Sequence, residues 1–154
     1  RKTSKAPLGD LRVGAPLDRV HADLLGPLPV TERNNKHILV VQDHFTKWTE
    51  LYPIPDGTAE MCADRLVNEF IARFGPPLDL HSDQGRNFES EVMKQVCKML
   101  GIRKTRTSPR HPSCNGLVER FNSTLLKMIR AYLGKKQTDW DLNLGCLVGA
   151  YRST

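Results

Sequence analysis

Three short runs of hydrophobic and β-branched residues near the start of the chain predict strands. They cover residues 19–25, 37–43 and 47–54, and glycine, proline or polar turn clusters bound them. Short connections between the runs favour a meander, in which consecutive strands pair in antiparallel fashion. The second run contains four consecutive aliphatic residues, which is typical of a buried strand.

The apolar spacing then changes, and helices alternate with strands. The predicted elements are a helix over 59–74, a strand over 78–82, a helix over 90–100 and a strand over 102–107. Thr58 is a good N-cap for the first of these helices, and Gly75 with two following prolines should end it. On the second helix, the expected buried side consists of Val92, Val96, Met99 and Leu100.

A long helix over 116–133 shows the clearest 3.6-residue period. Its apolar stripe consists of Val118, Phe121, Leu125, Met128, Ile129 and Tyr132. Its opposite, polar face consists of Glu119, Asn122, Ser123, Lys127 and Arg130. Gly134 should end this helix, and Thr138 or Asp139 should begin a last one. Glu119 is therefore expected to point away from the helix's own apolar stripe.

The predicted order is three strands, then helix, strand, helix, strand and two helices. It indicates an α/β fold with a five-stranded mixed sheet, in which three strands are antiparallel and two are reached by helical crossovers. Residues 1–18 are basic, contain proline and glycine, and show no period, so they are interpreted as a linker. Residues 19–154 are expected to form one domain.

Composition narrows the function classes. The formal net charge of +6 and the sequence pI near 9.3 favour an anionic partner such as nucleic acid. No apolar run approaches the roughly 20 residues of a membrane span. The four cysteines show no Cys-x-x-Cys spacing, which argues against a zinc site. Cys62, Cys97 and Cys146 are expected in the core, and Cys114 in an exposed loop.

Three acidic residues are the candidates for chemistry. Asp23 lies near the end of the first predicted strand, Asp83 directly follows the fourth, and Glu119 lies near the start of the long helix. Carboxylates that converge on one point repel one another, and divalent cations relieve that repulsion. Two such cations can promote phosphoryl transfer. Asp18, Asp43 and Asp79, and the histidines His21 and His81, are assigned structural roles.

Three stretches carry a family resemblance. Residues 21–28 read HADLLGPL, residues 81–88 read HSDQGRNF and residues 115–122 read NGLVERFN. Together they resemble the catalytic core of retroviral-type integrases, and most closely those of gypsy-type LTR retrotransposons and their host-captured descendants. Their order, and the 35 residues between Asp83 and Glu119, are those of the family.

The resemblance implies an RNase H-like fold and an Asp, Asp, Glu triad of Asp23, Asp83 and Glu119. This triad would hold two Mg²⁺ or Mn²⁺ ions when DNA is bound. The implied activity is trimming of the 3′ ends of element DNA and their transfer to target DNA. The resemblance also implies double-stranded DNA partners, a homodimer or higher oligomer, no membrane association and a nuclear location. An upstream zinc-binding module and a downstream DNA-binding tail are expected beyond this core.

Other residues near the triad are candidates for DNA contact. They are Arg110, His111, Asn115, Asn122, Ser123, Lys127 and Arg130. Position 110 is usually tyrosine in the family, and a guanidinium there can bind phosphate through two hydrogen bonds. Leu126 stands where retroviral relatives often have lysine. Trp48 is expected either to pack on the sheet or to lie at a protein–protein surface.

Two other functions remain open at this point. A host-captured integrase core can lose cleavage and act only as a DNA- or protein-binding module. A nuclease of the same fold, such as an RNase H, would also use clustered carboxylates. The Asn-Gly-x-x-Glu pattern at 115–119 and the basic strand at 102–107 favour the integrase interpretation.

Overall fold

The sheet of the computed structural model has the predicted mixed topology. The structure describes residues 14–83, 85, 87–106, 120, 123–128, 130–131 and 138–152. The strands are β1 Arg19–Leu25, β2 His37–Asp43, β3 Thr49–Ile54, β4 Asp79–Ser82 and β5 Arg103–Arg106. They lie side by side in the order β3-β2-β1-β4-β5. The pairs β3–β2 and β2–β1 are antiparallel, whereas β1–β4 and β4–β5 are parallel, which confirms the prediction.

The first helix contains an irregularity that the sequence did not indicate. It begins as an α-helix, Ala59–Arg65, continues as a π-helical segment, Leu66–Ile71, and ends as α-helix, Ala72–Phe74. We call this continuous helix α1. Thr58 caps it, because its hydroxyl accepts a hydrogen bond from the Met61 amide at 3.3 Å. The predicted bounds of 59–74 are correct, but periodicity cannot reveal the wider π-helical turns.

The second helix, α2, spans Glu91–Leu100 and buries a different stripe from the predicted one. Met93 and Cys97 face the core, whereas Met99 is 82% exposed and Val92 and Leu100 are also exposed. Only Val96 of the expected set packs against the core. The prediction was wrong because two overlapping apolar stripes share this helix, and only the sheet selects one of them. Gly101, at φ 71°, ends the helix in a left-handed conformation that suits glycine.

Part of the region predicted as a long helix over 116–133 is described. Residues 120, 123–128 and 130–131 are helical, and we call them α3. Leu125 is fully buried, while Ser123, Lys127 and Arg130 are exposed, so the predicted division into faces is confirmed for these residues. A 3₁₀ turn, Trp140–Leu142, then leads into α4, Leu144–Arg152. None of the helices among the described residues is long and apolar enough to cross a membrane.

Helices cover both faces of the sheet and create two hydrophobic clusters. The first joins the sheet to α1 and α2 through residues that include Val20, Leu39, Leu80, Phe70 and Met93. The second joins the other face to α3 and α4 through residues that include Leu25, Val40, Leu125, Trp140 and Leu147. Cys62 and Cys97 are buried as expected, but Cys146 is exposed on α4, which corrects the prediction for that residue.

A polar clamp fixes the loop between β1 and β2 against the Trp140 turn. The Asp141 carboxylate accepts hydrogen bonds from Arg33 Nε and Nη2 at 3.0 and 2.6 Å. It also accepts from Thr31 Oγ1 at 2.7 Å and Asn35 Nδ2 at 2.8 Å. Burial opposes ionisation of Asp141, but these donors outweigh it and lower its pKa to about 2. We call these four residues the Asp141 clamp.

Candidate active site

Parallel pairing of β1 with β4 positions two of the candidate acids. His21 pairs with His81 in the register of these strands. Asp23 lies two residues beyond His21, and Asp83 lies two residues beyond His81. Because side chains alternate between the faces of a strand, each acid continues the face of its histidine. Both acids therefore lie at the carboxyl ends of neighbouring parallel strands, where α/β proteins place their sites.

The two carboxylates differ in exposure and share one kind of contact. Asp23 is half-buried, and its Oδ1 accepts a hydrogen bond from the Leu24 amide at 2.8 Å. Asp83 is exposed, and its Oδ1 accepts from the Gly85 amide at 2.8 Å. A Cβ atom at position 85 would lie 2.9 Å from that same oxygen. A residue larger than glycine at position 85 would therefore displace the Asp83 carboxylate from its present position.

The loop after Asp83 is fixed to the core and to α2. The amides of Phe88 and Glu89 both donate to the Gly85 carbonyl at 3.1 Å. The Phe88 ring is 2% exposed and belongs to the first hydrophobic cluster. Ser90 then caps α2 by accepting a hydrogen bond from the Met93 amide at 3.2 Å. The backbone that carries Asp83 is thus held at both ends, by β4 and by α2.

The third acid and several DNA-contact candidates lie outside the described residues. They are Glu119, Arg110, His111, Asn115 and Asn122. Their assignments remain predictions.

The described part of α3 packs on the sheet face that carries Asp23. Leu125 packs in one cluster with Leu25, which lies two residues from Asp23 on the same side of β1. The helix thus covers the sheet face that carries Asp23. Arg120, Ser123, Lys127 and Arg130 are exposed on it and present three cationic side chains to solvent.

The donor set agrees with a site for a hard divalent cation. Mg²⁺ and Mn²⁺ prefer oxygen ligands, and Asp23 and Asp83 supply carboxylates at adjacent strand ends. Within the described ranges, no group of three His, Cys, Asp or Glu side chains is arranged to hold a metal. A metal site that uses Asp23 and Asp83 therefore requires a further ligand, and Glu119 is the predicted one.

A row of histidines lies beside the acids, and sequence reasoning did not predict their contact. The rings of His21 and His81 meet edge to face with centroids 4.8 Å apart, and His44 stacks 6.0 Å from His21. Burial, followed by the proximity of His81, lowers the pKa of His21 to about 3. His21 is therefore neutral at physiological pH and brings no positive charge to Asp23. Its spacing of two from Asp23 was the available signal in the sequence.

A buried ion network ties the three parallel strands together at their other ends. Asp79 is 2% exposed and accepts hydrogen bonds from Arg103 Nε and Nη2, both at 2.8 Å. Arg19 Nη2 donates to the same carboxylate at 3.2 Å. Burial opposes ionisation of Asp79, but the two guanidinium groups outweigh it, and its pKa is lowered. Asp79 thus has the structural role assigned from the sequence.

Comparisons with known proteins agree with this architecture. Residues 14–112 match the family described as "Integrase core domain". That range includes Asp23 and Asp83 but ends before Glu119. The chain is 31% identical over 137 residues to the retrovirus-related Pol polyprotein from transposon 412 of Drosophila melanogaster. It is 37% identical over 125 residues to the Pro-Pol polyprotein of feline foamy virus.

The alignments cover 89% and 81% of the chain, and it spans 11% of the length of each of these polyproteins. Among solved structures, the catalytic core domain of BIV integrase superposes with a TM-score of 0.67 at 27% identity. That superposition covers 87% of this chain and 82% of the BIV chain. The simian T-cell lymphotropic virus intasome, at 23% identity and a TM-score of 0.71, has the same fold over 86% of this chain and 47% of that chain.

The five-stranded mixed sheet flanked by helices is therefore the RNase H-like fold of integrase catalytic cores. Sequence and fold agree, and the chain belongs to the integrase core domain family.

Proposed function

We propose that this chain is the catalytic core of a metal-dependent polynucleotidyl transferase that trims the 3′ ends of element DNA and joins them to target DNA. The observation that carries the proposal is the parallel β1–β4 register, whose last pair, His21–His81, lies two residues before Asp23 and Asp83. Family membership supports the reaction class. A nuclear location belongs to the same proposal, because target DNA is nuclear in such elements.

Asp23, Asp83 and Glu119 are proposed to hold two Mg²⁺ or Mn²⁺ ions when DNA is bound. Such ions would lower the pKa of the attacking water or 3′-hydroxyl and offset the charge on the leaving oxygen. The chain's own contribution is to fix the two strand-end carboxylates. The Leu24 amide orients Asp23, and the Gly85 amide orients Asp83. Burial keeps His21 neutral at physiological pH, so it adds no positive charge beside Asp23.

Double-stranded DNA is the proposed partner. The exposed side of α3 carries Ser123, Lys127 and Arg130, together with Arg120. Lysine and arginine side chains contact phosphates and position nucleic acid without reading its sequence. Arg110, His111, Asn115 and Asn122 are proposed to contact DNA from the same side of the site.

Self-association through the side of the sheet opposite β5 is also proposed. A groove of about 290 Å³ there is lined by Trp48, Thr49, Glu50 and Leu51 of β3 and its preceding turn, Arg73 of α1, and Leu144, Gly145 and Val148 of α4. The Trp48 side chain is 43% exposed and donates to Glu50 at 2.7 Å. Both α1 and α4 therefore contribute residues to this groove. One relative, the catalytic core domain of HTLV-2 integrase, is described in a trimeric form.

Substitution of each acid tests the catalytic proposal. Asp23→Asn, Asp83→Asn and Glu119→Gln in the full-length protein should each abolish 3′-end trimming and strand transfer with Mg²⁺ or Mn²⁺. The fold should persist, because loss of mutual repulsion does not destabilise a metal-free site. Asp64→Asn is a matched control, since Asp64 is an exposed acid on α1.

Strand transfer that survives any one of the three substitutions would contradict the triad. A wild-type protein that binds DNA with neither trimming nor transfer would instead identify a non-catalytic DNA- or protein-binding module. A preference for RNA–DNA hybrids over DNA ends would identify a nuclease of the same fold.

A further inference from the structure

Lys104 occupies an enclosed position next to the candidate active site. It lies on β5, which pairs directly with β4, and its side chain is only 13% exposed. Lysine is seldom this enclosed without compensating acceptors, because an ammonium group loses hydration on burial. The ammonium group has three acceptors: Ser82 Oγ at 2.6 Å, the Thr105 carbonyl at 2.9 Å and Glu89 Oε2 at 3.2 Å.

One of these contacts leads to the backbone of Asp83. Lys104 donates to the Ser82 hydroxyl, and that hydroxyl donates to the Asp83 carbonyl at 3.0 Å. Ser82 is the last residue of β4 and is 2% exposed. The two hydrogen bonds are compatible, because the Ser82 hydroxyl donates its single proton to the Asp83 carbonyl while its oxygen accepts a hydrogen bond from the Lys104 ammonium group. Lys104 thereby fixes the rotamer of the side chain that holds the Asp83 carbonyl.

A second contact leads to the Asp83 carboxylate. Lys104 pairs with Glu89, whose amide donates to the Gly85 carbonyl at 3.1 Å. The Gly85 amide in turn donates to Asp83 Oδ1 at 2.8 Å. Arg106 also reaches Glu89, at 3.4 Å, but its side chain is 61% exposed. Lys104 thus contacts both the strand end, at Ser82, and the loop, at Glu89.

We propose that Lys104 is a positioning residue for Asp83. It holds the strand end through Ser82 and the loop through Glu89, and so it fixes the direction in which the carboxylate meets a divalent cation. The expected effect on activity rests on the proposed metal-dependent function. The expected effect on the position of Asp83 does not depend on that function. Groups that orient a metal ligand typically change metal affinity about 10- to 100-fold when removed.

The test uses the full-length protein and the substitution Lys104→Met, which keeps the length of the side chain and removes its donors. The Mn²⁺ concentration for half-maximal strand transfer should rise about tenfold, and kcat at saturating Mn²⁺ should recover most of the wild-type value. Lys104→Arg keeps the charge and the donors and should move the midpoint back toward wild type. Lys94→Met on the exposed side of α2 is the matched control and should leave the midpoint unchanged.

Metal-free hydrogen exchange gives a readout that does not depend on catalysis. The Gly85 and Glu89 amides should exchange faster in Lys104→Met than in wild type, while amides of β2 remain unchanged. If Lys104→Met does not fold, Ser82→Ala and Glu89→Ala replace it, because each removes one of the two side-chain acceptors of Lys104. Each should then raise the Mn²⁺ midpoint and accelerate exchange at Gly85.

The outcomes separate the two proposals. An unchanged Mn²⁺ midpoint together with unchanged exchange at Gly85 and Glu89 overturns the role of Lys104. Equal strand transfer by wild type and Asp83→Asn overturns the proposed function. In that case faster exchange at Gly85 in Lys104→Met still supports the positioning of Asp83 by Lys104.

Discussion

Removal of the charge from the Asp141 clamp should measurably destabilise the fold. Asp141→Asn keeps the size of the side chain but replaces a carboxylate oxygen with a donor that faces Arg33, Thr31 or Asn35. The Asp141 side chain is 2% exposed, so water cannot readily compensate for the lost acceptors. Because the clamp fixes the turn that contains Trp140, its loss should loosen the packing of α3 on the sheet.

The magnitude follows from the pKa of Asp141. The folded-state value is about 2, against an ordinary value of 3.8. Each pKa unit corresponds to roughly 1.4 kcal/mol, so the ionised carboxylate contributes about 2 kcal/mol at pH 7. A depressed pKa stabilises the folded state above pH 4, and this contribution is lost as pH falls from about 4 toward 2. At pH 3 roughly half of it should remain.

Urea unfolding of the wild type and Asp141→Asn at pH 7 and pH 3 measures this difference directly. The free energies of unfolding should differ by about 2 kcal/mol at pH 7 and by about half as much at pH 3. Asp64→Asn is the matched control, because Asp64 pairs with Arg65 at 2.7 Å but is 49% exposed. Its effect should stay below about 0.5 kcal/mol. A difference that does not decrease between pH 7 and pH 3 would refute the assignment of the stability to the ionised Asp141.

Two further predictions concern DNA and self-association. Arg110→Ala should weaken DNA binding similarly for all sequences and lower the salt-dependence slope by about one counterion, and an unchanged slope in a salt titration would reject the phosphate contact. Gly145→Glu should reduce the oligomer seen by light scattering, because Gly145 is exposed and the substitution introduces a charge into the groove beside Trp48. Met99→Glu should leave the oligomer unchanged, because Met99 is already 82% exposed on α2. A wild-type protein that is monomeric at high concentration would count against this interface.

Local signals in the sequence determined most of the secondary structure. Thr58 and Gly75 mark the ends of α1, and the aliphatic run in 37–43 marks β2, because capping and β-branching act through neighbouring residues. The three stretches around Asp23, Asp83 and Glu119 were sufficient for the resemblance to integrase cores. Local patterns did not show which apolar stripe of α2 is buried or where α1 becomes π-helical.

Tertiary structure decided the contacts between residues that are distant in sequence. The β1–β4 register brings the strand ends of Asp23 and Asp83 together although 59 residues separate the two acids. Lys104 reaches Ser82 only because β5 pairs with β4, and Asp141 reaches Arg33 only because α4 packs across the sheet. Such polar contacts have no period in the sequence, since each depends on the geometry of two elements brought together by burial of the hydrophobic clusters. The candidate acids could therefore be named from the sequence, whereas the contacts of Lys104 with Ser82 and of Asp141 with Arg33 depend on the tertiary structure.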